Sequence, residues 1–380
     1  TLLLPSISYA QEKMSDDIFA RFRKDMPKLE LLDNKKFIEE TKPIKKKPYG
    51  DDSLAYSIRI PKDWIEREDK SSSNFILSEK LFLDLNVFYG RPTIMGRVRL
   101  EIEALNLEEN LTVEQWYLKY ILEGGYAMEG FVVHNEDLVE SLMVVMEKDY
   151  SFYLRTLITI NGTKIIMVKY YVPVAFIQEQ AAMQQQVLSS FKLSNKKDRQ
   201  LIGLESYRFL DVAEISYPET WRVFAKAMRN VDIMNASIIN VKQDDKGNIN
   251  NSSPDGKVDV TVVSSSIQSN LIDYVKEYKT SIEANGVLIG EKIKDDYPFT
   301  YDESMDFAIT EVYKGIDSAN NMSEYEFWSS ILVGGNYYYF LMLLTPSRNE
   351  NFAIWAENTQ NYKIILQKFK PLAGAFLERD

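Results

Sequence analysis

The feature that most limits what this chain can fold into is that it says the same thing twice. AYSIRIPKDW, Ala55 to Trp64, returns as VAEISYPETW, Val212 to Trp221: a strand, a proline, and a tryptophan three residues beyond it. The elements after this phrase keep the same order in both halves. Apolar strand runs come next, Phe82 to Tyr89 and Val98 to Ile102 in the first half, Val258 to Val263 in the second. Each half then offers a helix. Val113, Trp116, Tyr117, Tyr120 and Ile121 recur at steps of three and four, as do Leu271, Val275, Tyr278 and Ile282, so both helices are predicted to turn an apolar stripe to a core. Both run into glycine endings, Gly124-Gly125 and Asn285-Gly286, where a left-handed cap fits.

The longest match is YSFYLRTLITINGTKIIMVKYYVP (150–173) over SEYEFWSSILVGGNYYYFLMLLTP (323–346), without a gap. Each reads as strand, tight turn, strand and proline. Asn161-Gly162 and Gly334-Gly335 supply the positive φ angles of a hairpin turn, and proline ends the strand because it has no N–H for the ladder. A closing helix comes after it, with Ile177, Gln180, Ala181, Gln184, Val187, Leu188 and Phe191 inward in one half. Trp355, Tyr362, Ile365, Leu366 and Phe369 do the same in the other, and LSSFKL (188–193) matches LQKFKP (366–371). A chain of 380 residues is too long for one ordinary core and suits two domains of about 150 residues each. The expected domains are 50–195 and 203–372, joined by the short charged SNKKDRQ (194–200). Trp64 and Trp221 are expected to cap the core where the chain leaves the sheet. Alanine at either should cost about 3–5 kcal/mol, read as a lowered melting temperature.

Together these elements resemble the PsbP-like family, which includes the extrinsic photosystem II subunit, the Ran-binding Mog protein and bacterial DcrB-type periplasmic proteins. The resemblance implies an α+β fold in each of the two tandem domains, an antiparallel sheet of about six strands flanked by helices. It also implies action by binding partners, as assembly factors, without catalysis. No residue of a Ran surface or a photosystem site matches a position here, so none is carried over.

Ahead of the domains, TLLLPSISYA (1–10) places Ser8 and Ala10 at the −3 and −1 positions of a signal-peptidase site. It is read as a signal-peptide remnant, which puts the mature protein in the periplasm or outside the cell. In 11–49, Ile18, Phe19, Phe22, Met26 and Leu29 predict an amphipathic helix interrupted at Pro27, and KPIKKKPYG (42–50) reads as a Pro/Lys linker. That segment either docks on a partner or is a spacer whose helix packs on its own domain. No apolar run approaches the roughly 20 residues a membrane-spanning helix needs, so none is expected.

Reactive chemistry is sparse. With no cysteine there are no disulfides, thiolate metal sites or cysteine nucleophiles. A net charge of −11 argues against a nucleic-acid footprint, which needs a basic face. His134 is the only histidine, no G-x-S-x-G elbow occurs, and His134 is read as a loop or strand residue. Glu101 and Glu103 share one strand face, a geometry acid–base chemistry can use, but their alternation with Leu100 and Ile102 reads more simply as a wet face. DDKGNINNSSPDG (244–256) offers Asp244, Asp245, Asn248 and Asp255 to calcium, yet lacks the spacing and terminal glutamate of a calcium loop. No catalytic, cofactor or metal residue is therefore assigned. Tyr337, Tyr338 and Tyr339 stand out as a candidate interaction surface, with alternation giving one face to the core and the other to a partner. The expected function is a non-catalytic exported scaffold or assembly factor, binding envelope proteins in a bacterial envelope complex. The alternative is a binder of a small molecule or lipid, in a cleft between the domains or under the mid-domain helix.

Overall fold

The computed structural model describes residues 18–67, 82–90, 96–199, 201, 203–225, 232–240, 255–267, 270–284, 286–294, 298–317 and 323–377. The signal-peptide reading of 1–10 and residues 244–254 of the calcium candidate lie outside them, as does the Ile282 side chain.

The duplication emerges as two units with one strand order. The first unit runs to Asn106 and resumes over Trp116–Arg199; the second joins Leu107–Gln115 to the chain from residue 200 onward. In chain order the first half contains α1 (Ile18–Phe22), α2 (Asn34–Glu40), β1 (Thr41–Lys46), β2 (Tyr56–Pro61), β3 (Ile65–Glu66), β4 (Leu83–Tyr89) and β5 (Arg99–Asn106). It continues with α3 (Val113–Gly124), β6 (Met128–Asn135), β7 (Leu138–Glu147), β8 (Tyr150–Asn161), β9 (Lys164–Pro173), α4 (Ile177–Ser189) and β10 (Lys192–Leu193). The second half contains β11 (Leu204–Phe209), β12 (Ala213–Pro218), β13 (Trp221–Ala225), β14 (Ile233–Asn240), β15 (Gly256–Ser264) and α5 (Leu271–Ala284). After these come β16 (Val287–Lys294), β17 (Phe307–Asp317), β18 (Ser323–Gly334), β19 (Tyr337–Pro346), α6 (Phe352–Lys368) and β20 (Lys370–Pro371).

Each unit has a seven-stranded antiparallel sheet, β3-β4-β5-β9-β8-β7-β6 in one and β13-β14-β15-β19-β18-β17-β16 in the other. Each also has a three-stranded sheet, β1-β2-β10 and β11-β12-β20. The α+β reading holds, with one more strand in the main sheet than expected. The opening strand that carries the repeated phrase belongs to the small sheet, where it meets the tail of the closing helix.

The ungapped hairpin match is a match of register. Asn161 faces Lys164 and Phe152 faces Pro173; Gly334 faces Tyr337 and Tyr325 faces Pro346. Gly162 and Gly335 take φ of 63° and 59° to close the two turns. Since side chains alternate, a slip of one residue would exchange the two faces of either strand. In the first unit Leu100, Ile102, Ile166, Val168 and Tyr170 form one face, packed with Ile58 and Ile60 of β2 and Val187 and Leu188 of α4. Trp64 and Trp221 are both buried, as expected. The Trp64 ring centroid lies 5.2 Å from that of Tyr170, and its indole lies flat on Gly90, where an added Cβ would come within 2.4 Å of Nε1.

Two expectations need correction. The Pro/Lys linker is in part a strand: Thr41 to Lys46 pair with Pro61 to Tyr56, as Leu204 to Phe209 pair with Pro218 to Ala213. Each repeat therefore opens one strand earlier than its tryptophan phrase suggests. β1 is an edge strand, where proline is tolerated and lysines discourage pairing with other chains. The amphipathic helix stops at Phe22, well before Pro27, and residues 23–33 run on without helix. A short isolated helix is weak, and contacts of the extended chain with the first unit replace it. Both mid-domain helices turn their stripe to a core as expected, though to different depths. α3 buries Trp116, Tyr117 and Ile121, whereas Leu271, Val275 and Tyr278 of α5 are only half-buried.

Candidate functional site

Alternation along β5 and β9 sends Arg99, Glu101, Glu103, Lys169 and Tyr171 to the face opposite the α4 core. Pairing aligns Glu101 with Lys169, Lys169 with Thr156 and Thr156 with Ser141, a polar row across four strands. α3 reaches this row through Tyr117, whose hydroxyl shares a hydrogen bond with Ser141 Oγ at 2.5 Å. Around it stand stacked and edge-on rings: Trp116 and Tyr120 at 5.6 Å, Phe82 and Tyr120 at 6.0 Å, Tyr120 and Tyr126 at 6.1 Å.

Lys169 is only 7% exposed. Its Nζ donates to Glu103 Oε2 at 2.5 Å and lies 5.1 Å from the Phe82 ring centre. Burial opposes its charge, but Tyr171, Glu103, Tyr120 and Glu101 outweigh that and hold its pKa well above a free lysine's. Burial likewise raises the Glu103 pKa, and Lys169 pulls it partly back. Arg99 donates to Glu101 at 2.6 Å and Glu147 at 2.5 Å, its guanidinium 3.6 Å from the Tyr171 ring centre. Burial pushes the Tyr126 phenol up to about 12. Glu101 and Glu103 are thus not the wet face expected of them. The alternation was legible, but the far face is covered, and each carboxylate answers a cation.

Equivalent registers identify the twins of these residues in the second unit: Asn106 faces Lys164 as Ser264 faces Tyr337. Lys169 corresponds to Met342 and Glu103 to Thr261. Beneath α5 the face is apolar, with Val263, Tyr313, Phe327, Phe340 and Met342 in one cluster. The Lys169–Glu103 pair is thus replaced there by neutral side chains, while the Arg99–Glu101 pair has its counterpart in Lys257–Asp259 at 2.8 Å.

The second unit buries its own charge elsewhere. Glu326, 2% exposed, accepts from Arg348 Nε at 2.6 Å and Nη2 at 3.1 Å, from Trp328 Nε1 at 3.1 Å and from Trp355 Nε1 at 2.7 Å. Its twin is Tyr153. His134 lies on β6, its Nε2 3.1 Å from Glu140 Oε2, while Arg155 donates to the other oxygen at 2.5 Å. Among the described residues no group of three or more His, Cys, Asp or Glu side chains could hold a metal ion.

The tyrosine surface is corrected. Tyr337 and Tyr339 are buried, Tyr339 meeting Phe369 at 4.9 Å and donating to the Gly334 carbonyl at 3.2 Å. Tyr338 does face the other way, but it packs half-buried against the cluster under α5. Sequence reasoning missed Lys169, Glu326 and Arg348. For Lys169 the available signal was a charge inside the apolar run IIMVKYYV, since a lysine is almost never fully buried unless paired; Glu326 and Arg348 carry no such local signal.

No family model and no curated protein matches the chain. Among solved structures, the Ran-binding protein Mog1p of Saccharomyces cerevisiae is similar at 9% identity and a TM-score of 0.33, over 46% of this chain and 99% of its own. Cyanobacterial PsbP (CyanoP) of Synechocystis is similar at 15% identity and a TM-score of 0.29, over 40% of this chain and 92% of its own. Immunity protein TplEi of Pseudomonas aeruginosa is similar at 11% identity and a TM-score of 0.22, over 83% of this chain and 94% of its own. The PsbP and Mog proteins named by the sequence resemblance thus recur as likenesses of fold, each spanning less than half of this chain.

Proposed function

We propose that this protein is a non-catalytic scaffold or assembly factor that works in a bacterial envelope by binding other proteins. One observation carries the reading: Glu326, Lys169 and Arg155, all buried, are each answered within the fold. Glu326 is held by Arg348 and two indoles, Lys169 by Glu103, and Arg155 by Glu140. Such groups hold a structure together and are not themselves poised as an acid, base or nucleophile. Apolar side chains meanwhile stand in the open at the β7–β8 turn, where Met146 is 76% exposed beside exposed Val144 and Tyr150. A small molecule seeking the polar row under α3 would first have to break the Lys169–Glu103 bond, which counts against the ligand-binding alternative.

The test is affinity capture from the native host's envelope fraction with wild type, Met146→Glu and Val144→Glu. A discrete captured protein that is lost from both variants, at unchanged melting temperature, is the expected result. Capture indifferent to both changes, or nothing captured at all, defeats the reading.

A further inference from the structure

The outer edge of β6 is already occupied by extended chain. Past α1, the Phe131 N–H donates to the Lys24 carbonyl at 2.8 Å, and Lys24 Nζ donates to the Met128 carbonyl at 2.8 Å. Met26 lies across Gly130, where an added Cβ would come within 2.6 Å of its Sδ and 3.3 Å of its Cα. Further on, Gln186 of α4 brackets Leu32, accepting from its N–H at 3.1 Å and donating to its carbonyl at 2.9 Å. Between these anchors the segment has no helix or strand of its own. The sheet edge thus receives the strap at Lys24 and Met26, and a second anchor holds it to α4 at Leu32.

Antiparallel pairing turns alternate residues to opposite sides of a strand. Phe131 faces Ser141 and Val133 faces Val139, so Val133 presents its backbone groups to the same outer side as Phe131. The edge therefore continues beyond the point the strap uses.

We infer that the β6 edge is a strand-accepting site, with residues 23–27 as its resident occupant and an extended segment of a partner protein as its displacing one. This rests on the protein-binding reading and names the partner's chemistry. The strap shows what fits: a backbone carbonyl opposite Phe131, a basic side chain reaching the Met128 carbonyl, and two residues later a long unbranched apolar side chain lying on Gly130. Such a segment adds a strand to the sheet, backbone bonds giving affinity and the glycine step giving selectivity. A tethered strap competes at an effective concentration on the order of millimolar, so a partner gains the edge when the strap is loosened.

The probe is a labelled peptide with the sequence of residues 18–32, and the receptor is the full chain. Fluorescence anisotropy should show the peptide binding Lys24→Ala/Met26→Asp at least ten-fold more tightly than wild type. Adding Gly130→Val to that variant should abolish binding. Hydrogen exchange supplies a second readout: the Phe131 amide should exchange faster in Lys24→Ala/Met26→Asp and be protected again by the peptide. Equal binding to wild type and the loosened variant, binding indifferent to Gly130→Val, or unchanged Phe131 exchange would each overturn the inference. Because the probe is a peptide, these outcomes stand apart from envelope capture. Captured protein that persists in Gly130→Val would sink the edge and spare the scaffold.

Discussion

Lys169→Met alone is expected to cost the first unit about 3–5 kcal/mol, whereas Lys169→Met combined with Glu103→Thr is expected to fold at least as stably as wild type. Removing one partner leaves a carboxylate buried without its cation, and broken buried pairs cost that much. Removing both replaces the pair with the two residues the second unit already uses at the same register, Met342 and Thr261. Exchange of a buried pair for packed neutral side chains is often neutral or stabilising by about 1–4 kcal/mol. Urea unfolding of the wild type, both single variants and the double variant closes the cycle. A double variant as weak as the singles would mean that the two units do not share an interchangeable scaffold.

The same cycle has a pH signature. Burial raises the Glu103 pKa above its ordinary 4.5, so the folded unit takes up a proton more readily than the unfolded chain. On its account stability is lower at neutral pH and is gained as pH falls through the raised folded value towards 4.5. Lys169, raised above 10.5, contributes fully below that value and loses its contribution only as pH rises through its folded pKa. Urea midpoints of wild type at pH 5 and pH 8 should therefore carry a Glu103 difference that the double variant lacks.

How much of the fold was legible depends on whether a signal was local. The β8–β9 and β18–β19 hairpins were readable because glycine turns and terminal prolines fix register through backbone chemistry alone. Trp64 and Trp221 were readable because a long aromatic after a strand-ending proline has few other uses. β1 was not: TKPIKK carries the composition of a linker, and only pairing with β2 makes it a strand. Its counterpart LESYRF lacks the lysine run, so the repeat looked one strand shorter than it is. The tyrosine triplet misled for a related reason. Alternation separates Tyr338 from Tyr337 and Tyr339, but sequence cannot say that both faces of β19 are covered, one by the α6 side and the other by α5. The charged row under α3 needs β5 beside β9 before Lys169 and Glu103 meet, and α3 and three further strands separate β5 from β9 along the chain.

Glu326→Ala is expected to be the most damaging single change in the second unit, costing about 5 kcal/mol or more. The carboxylate is the shared acceptor for a guanidinium and two indole N–H groups in a site closed to water. Breaking a buried ion pair costs about 3–5 kcal/mol, and each buried donor that loses its acceptor adds about 1–3 kcal/mol. Arg348→Ala should cost less than Glu326→Ala, because both indoles keep their acceptor and the guanidinium that lay 4.7 Å from the Trp355 ring centre leaves with its charge. Glu326→Gln should fall between wild type and Glu326→Ala, since an amide oxygen still accepts from one indole while losing the ion pair. The order of urea midpoints is the measurement, wild type highest and Glu326→Ala lowest. If Glu326→Ala unfolded no earlier than Arg348→Ala, the indoles would not depend on the carboxylate. α6, which brings Trp355 to β18, would then be held by its apolar face alone.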